Sequence, residues 1–290
     1  MKNPLFTGVC TALVTPFLDN KVNYPMLDML LRRQMDAGIS AVVVAGTTGE
    51  APTLSDDEKR ELIRRAKDFT GDDCTIIAGT GSNSTEHAIA LSQDAEDAGA
   101  DALLVVSPYY NKATPDGLVA HYAAIAHSVS IPILLYNVPS RTGVDIPVSV
   151  YRRLSAIPNI VGVKEAANDI TKVTRIRKEC PTDFYVWSGN DEQTVPAMAL
   201  GAKGVVSVLS NLCPVETRLM ADAALDGDFD TAATLQMELM PLIDLLFCEV
   251  NPIPIKEAMG LIGYDCGGCR LPLTNLTKEN RKKLMEYLQK

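Results

Sequence analysis

Short runs of aliphatic and β-branched residues alternate along the chain with longer stretches whose apolar positions recur at helical spacing. The runs predict strands at 9–13, 41–45, 75–79, 102–106, 132–137, 160–165, 184–188 and 204–208. Helix signals lie between them. Ser55-Asp56-Asp57-Glu58 offers a capping box, in which hydroxyl and carboxylate each satisfy a free backbone N–H. Ser84-Thr85-Glu86-His87, following Asn83, starts another helix, and Gly38, Gly99 and Gly201 each close one just before a strand. The Ala–Gly step recurs at one phase of the unit, which reads as an internal architectural repeat.

Eight strand–helix units fill roughly the first 226 residues at about 27 residues each, the spacing of an α/β fold of the (β/α)8 TIM-barrel type. A doubly wound open sheet is the alternative. It would be long for one sheet, and no G-x-G-x-x-G follows the first strand. From Phe229 to Lys290 the pattern is helical throughout, broken at Asn251-Pro252-Ile253-Pro254. The expected organisation is a barrel, 1–226, and a C-terminal helical extension, 227–290.

Composition narrows the partners. Apolar residues are 47% of 290, enough for a large core without disulfides. The formal charge of −9 argues against nucleic acid and anionic membrane, which need a basic footprint. No run approaches the length of a membrane span, and the N-terminus lacks a secretory pattern. Seven scattered cysteines, an odd number, then suit reduced thiols in a cytoplasmic protein. Cys266-Gly267-Gly268-Cys269 is a lone C-x-x-C pair, for which an inert loop is a better account than zinc.

One residue conflicts with its surroundings. Lys164 stands in the apolar run Ile160-Val161-Gly162-Val163-Lys164-Glu165. A buried ammonium costs several kcal/mol unless it is paired or neutralised, and a neutral buried amine is the nucleophile that condenses with a ketone. The strand alone favours a structural lysine snorkelling into solvent. Strand parity shifts the balance. Ile160, Gly162 and Lys164 share one face, as do Leu134 and Tyr136 in the preceding strand. If the valines and Ile133/Leu135 meet the outer helices, Lys164 and Tyr136 point into the barrel at the strand ends where barrel enzymes do chemistry.

Other strand ends supply partners. Gly46-Thr47-Thr48-Gly49-Glu50 combines tight backbone with two hydroxyls, which suits a carboxylate, though alone it could be an ordinary turn. Ser107-Pro108-Tyr109-Tyr110-Asn111 brings phenols that could equally be core, and Arg141 follows Tyr136 as a bidentate clamp. An amine, phenols, hydroxyls and a guanidinium fit Schiff-base chemistry on an α-keto acid. They call for no cofactor and include no cluster able to hold a metal.

Taken together, Gly46–Glu50, Pro108-Tyr109-Tyr110-Asn111-Lys112, Tyr136-Asn137-Val138-Pro139-Ser140-Arg141-Thr142 and Val163-Lys164-Glu165-Ala166 resemble the dihydrodipicolinate synthase family. That family belongs to the pyruvate-aldolase group that includes N-acetylneuraminate lyase. The resemblance extends to Arg270-Leu271-Pro272-Leu273 and so covers essentially the whole chain. It implies that Lys164 forms a Schiff base with pyruvate, with Tyr136, Thr47 and Tyr110 as a proton relay. Thr48, with backbone near Gly189 and Val206, would hold the pyruvate carboxylate, and Arg141 would bind L-aspartate 4-semialdehyde. The family's counterpart of Tyr110 reaches a neighbouring subunit's site, which implies a homodimer or a homotetramer built as a dimer of dimers.

The resemblance has one departure. Lysine-inhibited members use an interface site that Asn83 and Tyr109 match, but Ala51, Asp56, Lys59 and His87 replace a serine, two histidines and a glutamate. Lys59 would repel an ammonium, so weak or absent inhibition by lysine is expected. Two other functions stay open on sequence: an aldolase acting on a sugar acid (N-acetylneuraminate or a 2-keto-3-deoxy acid), and a non-catalytic barrel that senses a metabolite. Arg141 speaks against the first, and Lys164, Tyr136 and Tyr110 occurring together speak against the second.

Overall fold

The computed structural model describes residues 2–289. Eight parallel strands close into a barrel in the order β1-β10-β9-β8-β7-β6-β5-β4. They are β1 (Gly8–Ala12), β4 (Ala41–Val44), β5 (Thr75–Gly79), β6 (Ala102–Val106), β7 (Ile133–Asn137), β8 (Ile160–Glu165), β9 (Tyr185–Ser188) and β10 (Gly204–Ser207). Each lies within a residue or so of its predicted run. Helices follow the barrel strands and pack outside them, the (β/α)8 arrangement that the spacing predicted. The capping box at Ser55 and Glu58 forms in full. Gly38, Gly99 and Gly201 close their helices with φ of 78°, 91° and 96°, a backbone that disfavours other residues.

Alternation along the strands separates two cores. Val42, Val44, Leu103, Val105, Ile133, Leu135 and Val163 pack outward against the helices. Cys10, Val43, Ile77, Leu104, Leu134, Tyr136, Trp187 and Val206 fill the barrel interior. The parity expected of β8 holds for its upper half only. The pairing of β7 with β8 shifts between Ile133 and Leu134, skipping a residue, so Ile160 joins the outer core while Lys164 stays opposite Tyr136. A bulge had broken the simple period.

Two features depart from the sequence pattern. A small antiparallel pair, β2 (Phe17–Leu18) and β3 (Lys21–Val22), turns on Asp19 and Asn20, both left-handed. The extension is not helical throughout. Helices Phe229–Leu246, Ile253–Leu261 and Lys278–Leu288 are separated by a turn and by a non-helical stretch, 262–277. Gly263 and Gly267 there take positive φ. Gly267 lies so close to the Phe17 carbonyl that a side chain would collide with it, and Phe17 N–H donates to the Cys266 carbonyl at 2.9 Å. Docking on the hairpin therefore overrides helical propensity here. The break expected at Asn251-Pro252-Ile253-Pro254 spans 247–252, so it includes Asn251 and Pro252, while Ile253 and Pro254 open the next helix.

Candidate active site

Lys164 is 6% exposed, and its Nζ lies 4.4 Å from the centre of the Tyr136 ring on the adjacent strand. Gly189, just past β9, makes room for it. A side chain there would come within 3.0 Å of Lys164 Cε and 2.6 Å of Ala166 Cβ. On the outer face of β8, Glu165 anchors the strand. Its Oε1 accepts from Asn137 Nδ2 at 2.6 Å and Ala167 N–H at 2.9 Å, and its Oε2 accepts from the Tyr151 hydroxyl at 3.1 Å. Burial pushes the Glu165 carboxyl above the usual range, against the pull of Lys172.

The Gly46–Glu50 loop leaves β4 through two left-handed residues, Ala45 (φ 50°) and Glu50 (φ 58°). Gly49 fits against Leu13 O and Ala45 N, and its carbonyl accepts from the Thr15 hydroxyl at 2.7 Å. These contacts fix the loop that carries Thr47 and Thr48. Thr48 Oγ1 accepts from Asn251 Nδ2 at 3.0 Å, which leaves its own proton free to be donated. Arg141, from the short helix Pro139–Thr142, donates from Nη2 to the Asn251 backbone carbonyl at 3.0 Å.

Thr47, Thr48, Tyr136, Arg141, Lys164 and Gly189 line one cavity of about 370 Å³. A second of about 370 Å³ adjoins it, with Thr47, Tyr136, Val138 and Arg141 in both linings. The first is a water-accessible pocket with an amine at its base, hydroxyls on one wall and a guanidinium at its mouth. That arrangement can hold an acid bearing a ketone and trap it covalently.

Two expected members lie elsewhere. Val206 is packed in the barrel interior, and Val208 contributes to the lining instead. Tyr110 lines neither cavity: it is 92% exposed, with φ of 69°. A bulky residue held in left-handed backbone stores on the order of 1–3 kcal/mol, and strain of that kind gathers at functional sites.

Of the residues matched to the lysine site, Ala51, Lys59, His87 and Tyr109 line the second cavity. Asp56 meets Lys59 Nζ at 3.2 Å and His87 Nε2 at 3.0 Å. These contacts, that of His87 first, hold its carboxyl below the usual range. Asn83 is not part of that lining, and its backbone carbonyl accepts from Asn111 Nδ2 at 2.9 Å.

Sequence reasoning missed Asn251 and Asp191. Asn251 appeared only as part of a helix break, and its adjacency to a cis bond with Pro252 has no sequence signature. Asp191 is 1% exposed, and its Oδ2 accepts from Val208 and Leu209 N–H at 2.9 and 3.0 Å, tying the loops after β9 and β10 together. Burial pushes its carboxyl up. The signal available was an acid two residues beyond a strand-end glycine.

Comparison with known proteins gives a consistent answer. A profile described as the dihydrodipicolinate synthetase family matches residues 5–290. A 4-hydroxy-tetrahydrodipicolinate synthase of Acetivibrio thermocellus is 46% identical over 289 residues, covering 100% of this chain and 98% of that one. The solved dihydrodipicolinate synthase of Aquifex aeolicus superposes with a TM-score of 0.96 at 43% identity, over 98% of this chain and 97% of that one. A Cyanidioschyzon merolae relative, solved with lysine bound, superposes with a TM-score of 0.96 at 39% identity, over 99% and 98% of the two chains.

Proposed function

The chain belongs to the dihydrodipicolinate synthetase family, and on that premise we propose how its residues divide the work of condensing pyruvate with L-aspartate 4-semialdehyde. It is a lyase of the class I aldolase type, and its product is 4-hydroxy-tetrahydrodipicolinate. The observation that carries the assignment is the buried Lys164 amine against the Tyr136 ring, in a cavity shared with Thr47, Thr48 and Arg141.

Neutral Lys164 attacks the pyruvate ketone to give a carbinolamine, which loses water to form the iminium. Tyr136 and Thr47 relay protons in these steps as a hydroxyl chain. Loss of a methyl proton converts the iminium to an enamine, whose carbon adds to the aldehyde. The amino group of the second substrate then attacks the imine carbon, closing the ring and releasing Lys164. Thr48 donates its hydroxyl proton to the pyruvate carboxylate, and Arg141 clamps the carboxylate of the semialdehyde.

The relay is completed by Tyr110 of a second copy. A strained, solvent-facing tyrosine beside a cavity that its own subunit leaves open supports a homodimer, which can pair further into a tetramer. The barrel (1–226) and the extension (227–290) act as one unit in this scheme. All seven cysteines are free, which suits a reducing, cytoplasmic setting. Among the described residues no helix is long and apolar enough to cross a membrane.

Borohydride reduction in the presence of pyruvate, read by intact mass, tests the nucleophile. The wild type should gain one reduced pyruvate per chain, and Lys164→Ala none. An adduct surviving in the variant would sink the assignment, as would preferred turnover of a sugar acid over aspartate semialdehyde in a coupled assay.

A further inference from the structure

We propose that Glu50 and Lys256 form a clamp that positions Thr48 and Arg141, making the C-terminal extension a working part of the carboxylate-binding site. Glu50 and Lys256 are 2% and 3% exposed, with Oε1 and Nζ 2.8 Å apart. Each has a further partner. Glu50 Oε2 accepts from Arg270 N–H at 2.9 Å, and Lys256 Nζ donates to the Gly268 carbonyl at 2.8 Å while lying 4.3 Å from the centre of the Phe17 ring. A buried ion pair is often no more stabilising than an apolar replacement. Here it is built at the further cost of left-handed backbone at Glu50. A local expense without local return is the mark of a position kept for its role in a site.

The role follows from the connections. Glu50 closes the loop that carries Thr47 and Thr48, its N–H donating to Thr47 O at 3.0 Å. Lys256 sits in the helix Ile253–Leu261, and Asn251 lies just upstream of that helix. Asn251 reaches both substrate-binding groups, donating from Nδ2 to Thr48 Oγ1 and accepting at its backbone carbonyl from Arg141. The extension thus grips one end of the loop through Lys256–Glu50 and touches both carboxylate-binding side chains through Asn251. Glu50 and Lys256 act through Thr48 and Arg141, so they are positioning residues. This inference rests on Thr48 and Arg141 holding the substrate carboxylates.

Steady-state kinetics on Lys256→Met, Asn251→Ala, their double variant and Arg141→Ala test it. Lys256→Met should raise KM for both substrates at least about tenfold, and Asn251→Ala, which removes the bond to Thr48 but keeps the backbone carbonyl for Arg141, should raise KM for pyruvate by as much, while reduction at saturating pyruvate still labels Lys164. Because both act on one link, the double variant should exceed the worse single by less than about twofold. A merely structural lesion would lower kcat and leave KM alone. The clamp is overturned if Asn251→Ala leaves KM for pyruvate within twofold of wild type, or if its effect and that of Lys256→Met on that KM multiply. If Lys256→Met does not fold, Glu50→Gln takes its place in the cycle with the same criteria. Arg141→Ala separates the two levels. An unchanged KM for the aldehyde there defeats the carboxylate assignment and the clamp with it, whereas a raised KM beside unchanged clamp variants defeats the clamp alone.

Discussion

The two ends of the barrel are built from the same strands and obey different rules. The end where the strands begin is sealed. Lys2 Nζ donates to the carbonyls of Ser155, Ile157 and Ile160 at 2.7–3.0 Å, and the Tyr185 hydroxyl donates to Lys2 O at 2.7 Å. Phe6 stacks on Trp187 at 5.1 Å, and Gly204 meets the Gly8 carbonyl where no side chain fits. The end where the strands finish is the reverse. Ala45, Glu50 and Tyr110 are held in left-handed backbone there, and Ser107 Oγ, Asp191 Oδ1 and Asn251 Oδ1 are buried without partners. Satisfied packing at one end supports strain and unmet polar groups at the other. Stability and catalysis should therefore separate by position.

The strongest test of that separation is Phe6→Ala. Emptying the lower plug should cost about 3–5 kcal/mol, read as a lower urea midpoint, with KM for both substrates within about twofold of wild type. A rise in KM would show that the sealed end reaches the site. The next effect is one of pH, away from both ends. His121 is 5% exposed and bonded through Nδ1 to the Thr85 hydroxyl at 2.9 Å, while its Nε2 has no partner. Burial draws its imidazole down to about 4. Between there and the ordinary value of 6.5 only the unfolded chain binds the proton, so stability is full above 6.5 and falls as pH drops towards 4. The loss at the acid end should be about 3 kcal/mol. Thermal melts of His121→Gln across that window should show a shallower acid slope than the wild type, and equal slopes would remove the histidine from the account.

Tyr110 should show the opposite signature, activity without stability. Tyr110→Ala should lower kcat roughly 100-fold, the lower end of the typical share of a proton-transferring group, with the melt unchanged. Mixing it, after dissociation and reassociation, with inactive Lys164→Ala should restore activity, since a hybrid dimer holds one site with Lys164 from one copy and Tyr110 from the other. No recovery would mean that Tyr110 does not act across an interface.

Much of this was legible beforehand because it depends on local period and residue type. The eight strands, the capping box at Ser55 and the inward pairing of Lys164 with Tyr136 follow from patterns of two and of three to four residues. What escaped depends on distant contact. Nothing near Asn251 announces that it will meet Thr48, some two hundred residues away, and the 262–277 stretch is irregular because it docks on Phe17. Lys256 reads as one polar residue in an apolar helix until Glu50 is placed against it. The Ile160 bulge escaped for a different reason: a skipped residue leaves the composition of the strand unchanged.

The smallest effect concerns the second cavity. The Cyanidioschyzon merolae relative was solved with lysine bound, and the residues matched here to such a site retain only part of what an amino-acid cation needs. The Lys59 side chain, 12% exposed, brings a positive charge into the lining, and the neighbouring Asp56 carboxylate is engaged by Lys59 on one oxygen and His87 on the other. A second ammonium would have to displace one of these while facing the other at close range. At these separations like charges repel by about 1 kcal/mol even in bulk water, and by more in a partly buried pocket. Lysine at millimolar concentration should accordingly change the steady-state rate by less than about twofold. His87→Glu, which restores the acid of the inhibited members at that position, should make the enzyme more sensitive. Half-maximal inhibition of the wild type below 1 mM would show that the cavity finds a carboxylate elsewhere, with the partner subunit the first place to look.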